Sequence, residues 1–186
     1  MGGLQKGLIE RSKRVEGEFV VHILENETAL ATKLIAELTT LQIPYYAEYE
    51  IELLARNENH LTPIILHGID TSSELPAFLE GKDLKGIVLG ADLGSKLLAD
   101  FYSQLQFISP AHTDPFLGDV PRQVSSEVTD FYSSELSEID LFHAWVRLPL
   151  VQNLIRSRAM NKIRFYDSSY LSKVRTLLHE EFPAES

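Results

Sequence analysis

The sequence predicts an α+β domain. Segments with strict two-residue apolar alternation are interleaved with segments whose leucines recur at helical spacing, and no stretch is repetitive or of low complexity. The composition agrees: 186 residues with 44% hydrophobic and 24% charged fit one domain or two small lobes with a core of their own.

The elements follow in order. Met1–Arg14 reads as a helix with a thin apolar stripe (Leu4, Leu8, Ile9), the continuation of something upstream. Glu18–Leu24 is dense in β-formers and reads as a strand. Thr28–Leu41 is a helix on the spacing of Leu30, Leu34, Leu38 and Leu41, capped by Asn26 or Thr28 and stopped by Pro44. In Glu48–Leu53, Tyr49, Ile51 and Leu53 face one way and Glu48, Glu50 and Glu52 the other, which predicts a half-solvated strand. The turn Asn57–Asn59 returns the chain into a second strand, Pro63–Ile69, as a hairpin. A short helix is expected over Ser73–Leu79, a brief buried strand over Ile87–Leu89, and a helix over Ala91–Phe101 with Leu93, Leu97, Leu98 and Phe101 on one side. Leu105 and Phe107 mark a strand that ends at Pro110. The stretch Pro110–Pro121 holds three prolines and a glycine and is expected to be irregular. Strands over Val124–Tyr132, Phe142–Arg147 and Ile163–Phe165, a short helix from Pro149, and a closing helix over Ser169–Phe182 complete the chain.

Composition excludes several functions. A net charge of −10 repels phosphate backbones and disfavours nucleic acid. The absence of cysteine excludes disulfide scaffolds, CxxC redox chemistry and thiolate metal sites. No run approaches the ~18 apolar residues of a membrane span. The basic residues near the start are not followed by a signal-peptide core, so a periplasmic location requires an exporting element outside this stretch.

Chemistry-bearing motifs are few. Gly86–Lys96 resembles a phosphate loop, but it has one spacer too few, Ser95 separates Gly94 from Lys96, and Asp92 stands where phosphate would lie; it reads as a tight strand-to-helix turn. The histidines (His22, His60, His67, His112, His143, His179) form no HExxH or i, i+4 pair, so no zinc signature is present. His67 near Asp70 could act as a base and its orienter, yet no nucleophile motif accompanies it, and it reads as a strand histidine bonded to the turn. Glu48, Glu50 and Glu52 read as a solvent face or a charge-guarded edge. No catalytic residue, cofactor or metal ligand is assigned, and the chain is expected not to be an enzyme. The proline loop is the sharper feature: Phe116 and Leu117 sit on a stiff segment, and either fold back onto the core or offer a partner contact.

Ordered motifs then resemble one family. Gly68-Ile69-Asp70, Leu79-Glu80-Gly81 with Leu84, and Gly86–Gly90 precede Ile108-Ser109-Pro110-Ala111 and Pro115–Arg122. This succession resembles lipoprotein-releasing ABC transporter permeases of the LolC/LolE type, within the macrolide-exporter-like superfamily. The resemblance implies a two-lobed periplasmic core domain with a protruding proline-rich hairpin. It implies a juxtamembrane helix over 1–15 after the first membrane span and a core over 16–186, porter-like over about 16–56 and 140–186 and sabre-like over about 57–139. It implies a hook that binds a lipoprotein or its periplasmic carrier through Pro110, Pro115, Phe116, Leu117, Gly118, Val120 and Pro121, with a pad at Arg122 and Gln123. Asp119 stands where the family often has a basic residue. Partner permease and ATPase subunits, and an inner-membrane anchor through flanking helices, belong to the same implication. An exporter or cell-division-type permease domain, a small-ligand sensor and a hydrolase are the alternatives.

Overall fold

A computed structural model describes residues 12–72 and 74–181. Most of the expected helix Met1–Arg14 lies outside them; 12–16 are helical. The chain runs β1 (Phe19–His22), α1 (Thr28–Thr40), β2 (Tyr46–Asn57), β3 (His60–Ile69), β4 (Ile87–Gly90), α2 (Ala91–Lys96), β5 (Gln104–Asp114), β6 (Val120–Tyr132), α3 (Ser137–Asp140), β7 (His143–Arg147), α4 (Leu148–Ile155), β8 (Lys162–Phe165) and α5 (Leu171–Glu181).

The eight strands among the described residues join one sheet in the order β1-β8-β2-β3-β7-β4-β6-β5. β2 is the hinge of this arrangement. Its first residues, Tyr46–Glu48, pair with β8, and its last, Leu54–Arg56, pair with β5. Because β5 returns to β2, the strands from β2 onward close on themselves, and their shared edge is removed. The alternation of β2 then has a meaning: Ile51 and Leu53 face the inside of the closed ring with Leu66, Leu89, Leu105, Phe107 and Val146. Leu93 and Leu97 after β4, and Val151 and Leu154 of α4, join the same core. Burial of each such side chain stabilises by about 1.5–3 kcal/mol. A second core lies beside it. There α1 and α5 lay Leu34, Leu38, Val174 and Leu177 against Ile163 and Phe165 of β8. A third small core gathers Val15, Ile69, Leu79, Val88 and Trp145.

Three local expectations need correction. The helix from Ala91 ends at Lys96, because Leu98 takes a left-handed φ of 49°; Leu98 and Phe101 are exposed rather than inward. Among the described residues of the expected helix Ser73–Leu79, only Ala77–Leu79 forms a 3-10 turn, since Pro76 before it is extended at ψ 147°. The stretch Pro110–Pro121 is mostly strand. β5 runs to Asp114 and β6 begins at Val120. Pro110 is accommodated because β2 leaves β5 after Ile108 and the β5–β6 register shifts between Ser109 and Thr113, so no ladder donor is required there.

The glycine-rich stretch is the β4-to-α2 turn. A Cβ on Gly90 would lie 2.5 Å from the Asp140 carbonyl oxygen and 2.9 Å from that of His143, so close backbone approach explains the glycine.

Candidate functional site

The β5–β6 hairpin projects the proline loop. Its last ladder pair is Asp114 with Val120. Between them, Pro115–Leu117 form one 3-10 turn. The Asp114 carboxylate accepts the Phe116 N–H at 3.1 Å, and the Asp119 N–H donates to the Asp114 carbonyl at 3.1 Å. Gly118 and Asp119 both adopt left-handed φ, 76° and 59°, which turns the chain back. Arg156 at the end of α4 bonds the Asp114 carboxylate at 3.2 Å. The tip is thus tied to itself and to the body.

This frame points its apolar side chains at solvent. Phe116 is 94% exposed, Leu117 67% and Val120 50%. The choice between folding back and facing outward is settled for these residues. Pro115, Gly118 and Pro121 share the tip and its first rungs. Pro110 lies lower, exposed beside Ala111, on an apolar groove of about 520 Å³ that also touches Leu54, Ile65 and Phe142. Gln123 is exposed on β6. Arg122 instead turns inward, and its Nη1 donates to the Ile155 carbonyl at 3.1 Å. Arg156 had no sequence signal: it is distant in the chain and reaches Asp114 only through the packing of α4.

A second polar constellation lies on the opposite side of β2. Glu48 and His67 are each 3% exposed. Arg164 of β8 donates Nε and Nη2 to one Glu48 oxygen at 3.0 and 2.9 Å, and Nη2 also reaches Glu50 at 2.9 Å. Lys162 pairs with Glu50. His67 Nδ1 lies 3.1 Å from Glu48, and its Nε2 lies 2.7 Å from His143 Nδ1. The rings of His67 and Trp145 stack at 5.6 Å. Arg164 Nη1 donates to the Glu16 carbonyl at 2.8 Å, and Tyr166 donates to that of Val15 at 2.7 Å, so the helical turn before β1 is clasped to the same cluster.

Two expectations change here. Glu48 and Glu50 do not form a solvent face; only Glu52 of the three is exposed. His67 does not meet Asp70, whose carboxylate instead accepts the Ser72 N–H at 3.0 Å. Burial alone would raise the Glu48 carboxyl, but His67 and Arg164 overcome it and hold it down at about 2. Burial and the neighbouring His67 push His143 down to about 4. Glu48, Glu50 and His67 offer ligand atoms within 4.8 Å of one another. Arg164 and Lys162 already balance the two carboxylates, so the donor set suits an ion-pair network rather than a divalent cation.

No family model and no curated protein sequence matches the chain. Its fold is similar to a solved structure, the extracellular domain of the noncanonic ABC-type transporter YknZ from Gram-positive bacteria. The TM-score is 0.52 at 13% identity, over 88% of this chain and 93% of that one. This chain shares that domain's fold. The periplasmic region of MacB from Actinobacillus actinomycetemcomitans aligns at a TM-score of 0.48 and 14% identity, over 78% of this chain and 72% of that one. Among the described residues no helix is long and apolar enough to cross a membrane.

Proposed function

We propose that this chain is the extracytoplasmic domain of an ABC transporter permease, and that its β5–β6 hairpin tip grips a lipoprotein or the periplasmic carrier that receives it. The observation that carries this reading is Phe116, 94% exposed on a tip whose backbone is fixed by Asp114, Pro115 and Gly118. An aromatic ring held in solvent on a rigid support loses little conformational entropy when a partner pocket takes it. The fold shared with the YknZ domain supports the permease assignment. The ordered resemblance to lipoprotein-releasing permeases supports the choice of partner. Membrane-spanning helices flanking the domain would anchor it, and ATP hydrolysis would belong to a separate subunit. The domain acts by binding, not catalysis: among the described residues, the buried pair of His67 and Glu48 is spent on Arg164 and His143 and bonds no serine hydroxyl. An exporter-type permease of the same fold is the second reading, favoured by Asp119 at the tip, where a basic residue would suit the carrier hook.

The test is biolayer interferometry of the domain against the periplasmic lipoprotein carrier. Phe116→Ala with Leu117→Ala should weaken binding by about 30-fold or more, because hot-spot truncations cost ~2 kcal/mol or more. Unchanged binding sinks the hook assignment. Hydrolysis of generic ester or peptide substrates that disappears in His67→Ala would overturn the assignment as a binding domain.

A further inference from the structure

Three arginines gather where α4 ends. Arg122 reaches it from β6, and its Nη1 donates to the Ile155 carbonyl at 3.1 Å. Arg156 follows at the helix C-cap, in the left-handed region at φ 54° and ψ 46°, a position that glycine or asparagine usually takes. Arg158 comes two residues later and is exposed. The turn that carries the last two is fixed. The Arg156 and Ser157 N–H groups both return to the Gln152 carbonyl, the latter at 3.1 Å, and Ser157 Oγ accepts the Ala159 N–H at 3.2 Å.

Counter-charge is short here. Asp114 bonds Arg156 at 3.2 Å. Arg122 meets a helix-end carbonyl, which offers only a partial charge, and its Nε is buried without a partner among the described residues. Arg158 has no hydrogen-bond or ion-pair partner among the described residues. Three guanidinium groups against one carboxylate leave an excess of two formal positive charges, in a chain whose net charge is −10.

A cavity of about 620 Å³ opens beside this turn, lined by Pro149, Gln152, Asn153, Arg156, Ser157 and Arg158. Among the described residues the lining holds no carboxylate and no aromatic ring. Guanidinium, amide and hydroxyl groups make it rich in donors, and the planar fork of a guanidinium matches the oxygens of a phosphate two at a time.

We propose that this cavity binds a phosphate group, free or on a lipid headgroup, through Arg156 and Arg158 with Asn153 and Ser157 beside them. A phosphate monoester carries about −1.5 to −2 near neutral pH, which answers the excess of two; a carboxylate answers only half of it. The site is separate from the hairpin tip and does not rest on the reading of Phe116.

Isothermal titration calorimetry of the domain with sodium phosphate should show saturable binding, and sodium chloride at the same ionic strength should show none. Arg158→Glu breaks no bond of the fold, and should weaken phosphate binding about tenfold or more, because a charge-assisted bond is lost. Phe116→Ala should leave phosphate binding unchanged. Flotation with phosphatidylcholine vesicles, with and without phosphatidic acid, separates the two sources. Binding confined to the phosphatidic acid vesicles and lost in Arg158→Glu assigns the phosphate to a lipid, whereas calorimetric binding without flotation assigns it to a free ligand. Should Arg158→Glu lower the melting temperature, Asn153→Asp on the exposed side of α4 places a like charge in the same cavity and decides. The proposal is overturned if neither phosphate nor the phosphatidic acid vesicles bind saturably, if chloride gives the same signal, or if binding survives both substitutions.

Discussion

Arg164→Ala is expected to destabilise the domain by about 3 kcal/mol at neutral pH, the lower end of the ~3–5 kcal/mol measured for breaking buried pairs. Arg164 holds Glu48 through Nε and Nη2 at 3.0 and 2.9 Å, Glu50 at 2.9 Å and the Glu16 carbonyl at 2.8 Å. Glu48 is 3% exposed in the intact domain, and removal of Arg164 leaves its charge without the main counter-charge. His67 remains as a bonding partner and Lys162 still neutralises Glu50, which is why the lower end applies. Urea denaturation followed by Trp145 fluorescence reads the loss directly, because the single tryptophan stacks on His67 at 5.6 Å. With a slope of about 2 kcal/mol/M the midpoint should fall by about 1.5 M. Glu48→Gln placed on Arg164→Ala removes the orphaned charge and should restore most of the loss. A loss below about 1 kcal/mol, or a double variant no more stable than the single one, would refute the buried-charge argument.

Acid should unfold the domain in two windows. His143 sits at about 4 against an ordinary 6.5, so the unfolded chain takes up that proton first and stability falls between those values. Glu48 sits at about 2 against 4.5, so its contribution, up to about 3 kcal/mol, is present above 4.5 and lost as pH falls toward 2. His143→Gln should flatten the upper window in urea midpoints measured against pH and leave the lower one. Gly90→Ala forces a Cβ to within 2.5 Å of the Asp140 carbonyl oxygen, backbone that cannot swing away; a loss of about 3 kcal/mol or more is expected by thermal melt, and a neutral result would mean β4 and α3 can part. Zinc at ~100 µM should leave the melting temperature unchanged, since ligand stabilisation requires binding that Arg164 and Lys162 oppose; a rise would mark Glu48, Glu50 and His67 as a true metal site.

The legible part of this protein was that written in periodicity. Leu34 and Leu38 announce the buried face of α1, and Ile51 and Leu53 that of β2, because repeats of 3.6 and 2 record which side meets a core. Proline and glycine likewise marked the tip: Pro115 fixes its own φ, and Gly118 admits the left-handed φ of 76° without a steric cost. The extension of the flanking strands to Asp114 and back to Val120 is not legible in the sequence, since proline forbids a ladder only where a donor is needed, and whether β2 still lies beside Pro110 is a question of register between distant segments.

Phe116 shows the same division. Its stiff setting was visible in the chain, but its exposure depended on where β5 and β6 carry it. The α+β class, the helices at Thr28–Thr40, Leu148–Ile155 and Leu171–Glu181, and the proline turn were thus determined by the sequence alone, through local dihedral preference and one-sided burial. The tertiary structure alone decided the ring closure of β2 onto β5, the clasp of Arg156 on Asp114, and the fate of the three glutamates. Glu48 and Glu52 occupy identical places in the alternation, yet one is buried and the other faces water. The difference is Arg164, 116 residues away in the chain, and a charge is buried where its counter-charge arrives, which no local pattern encodes.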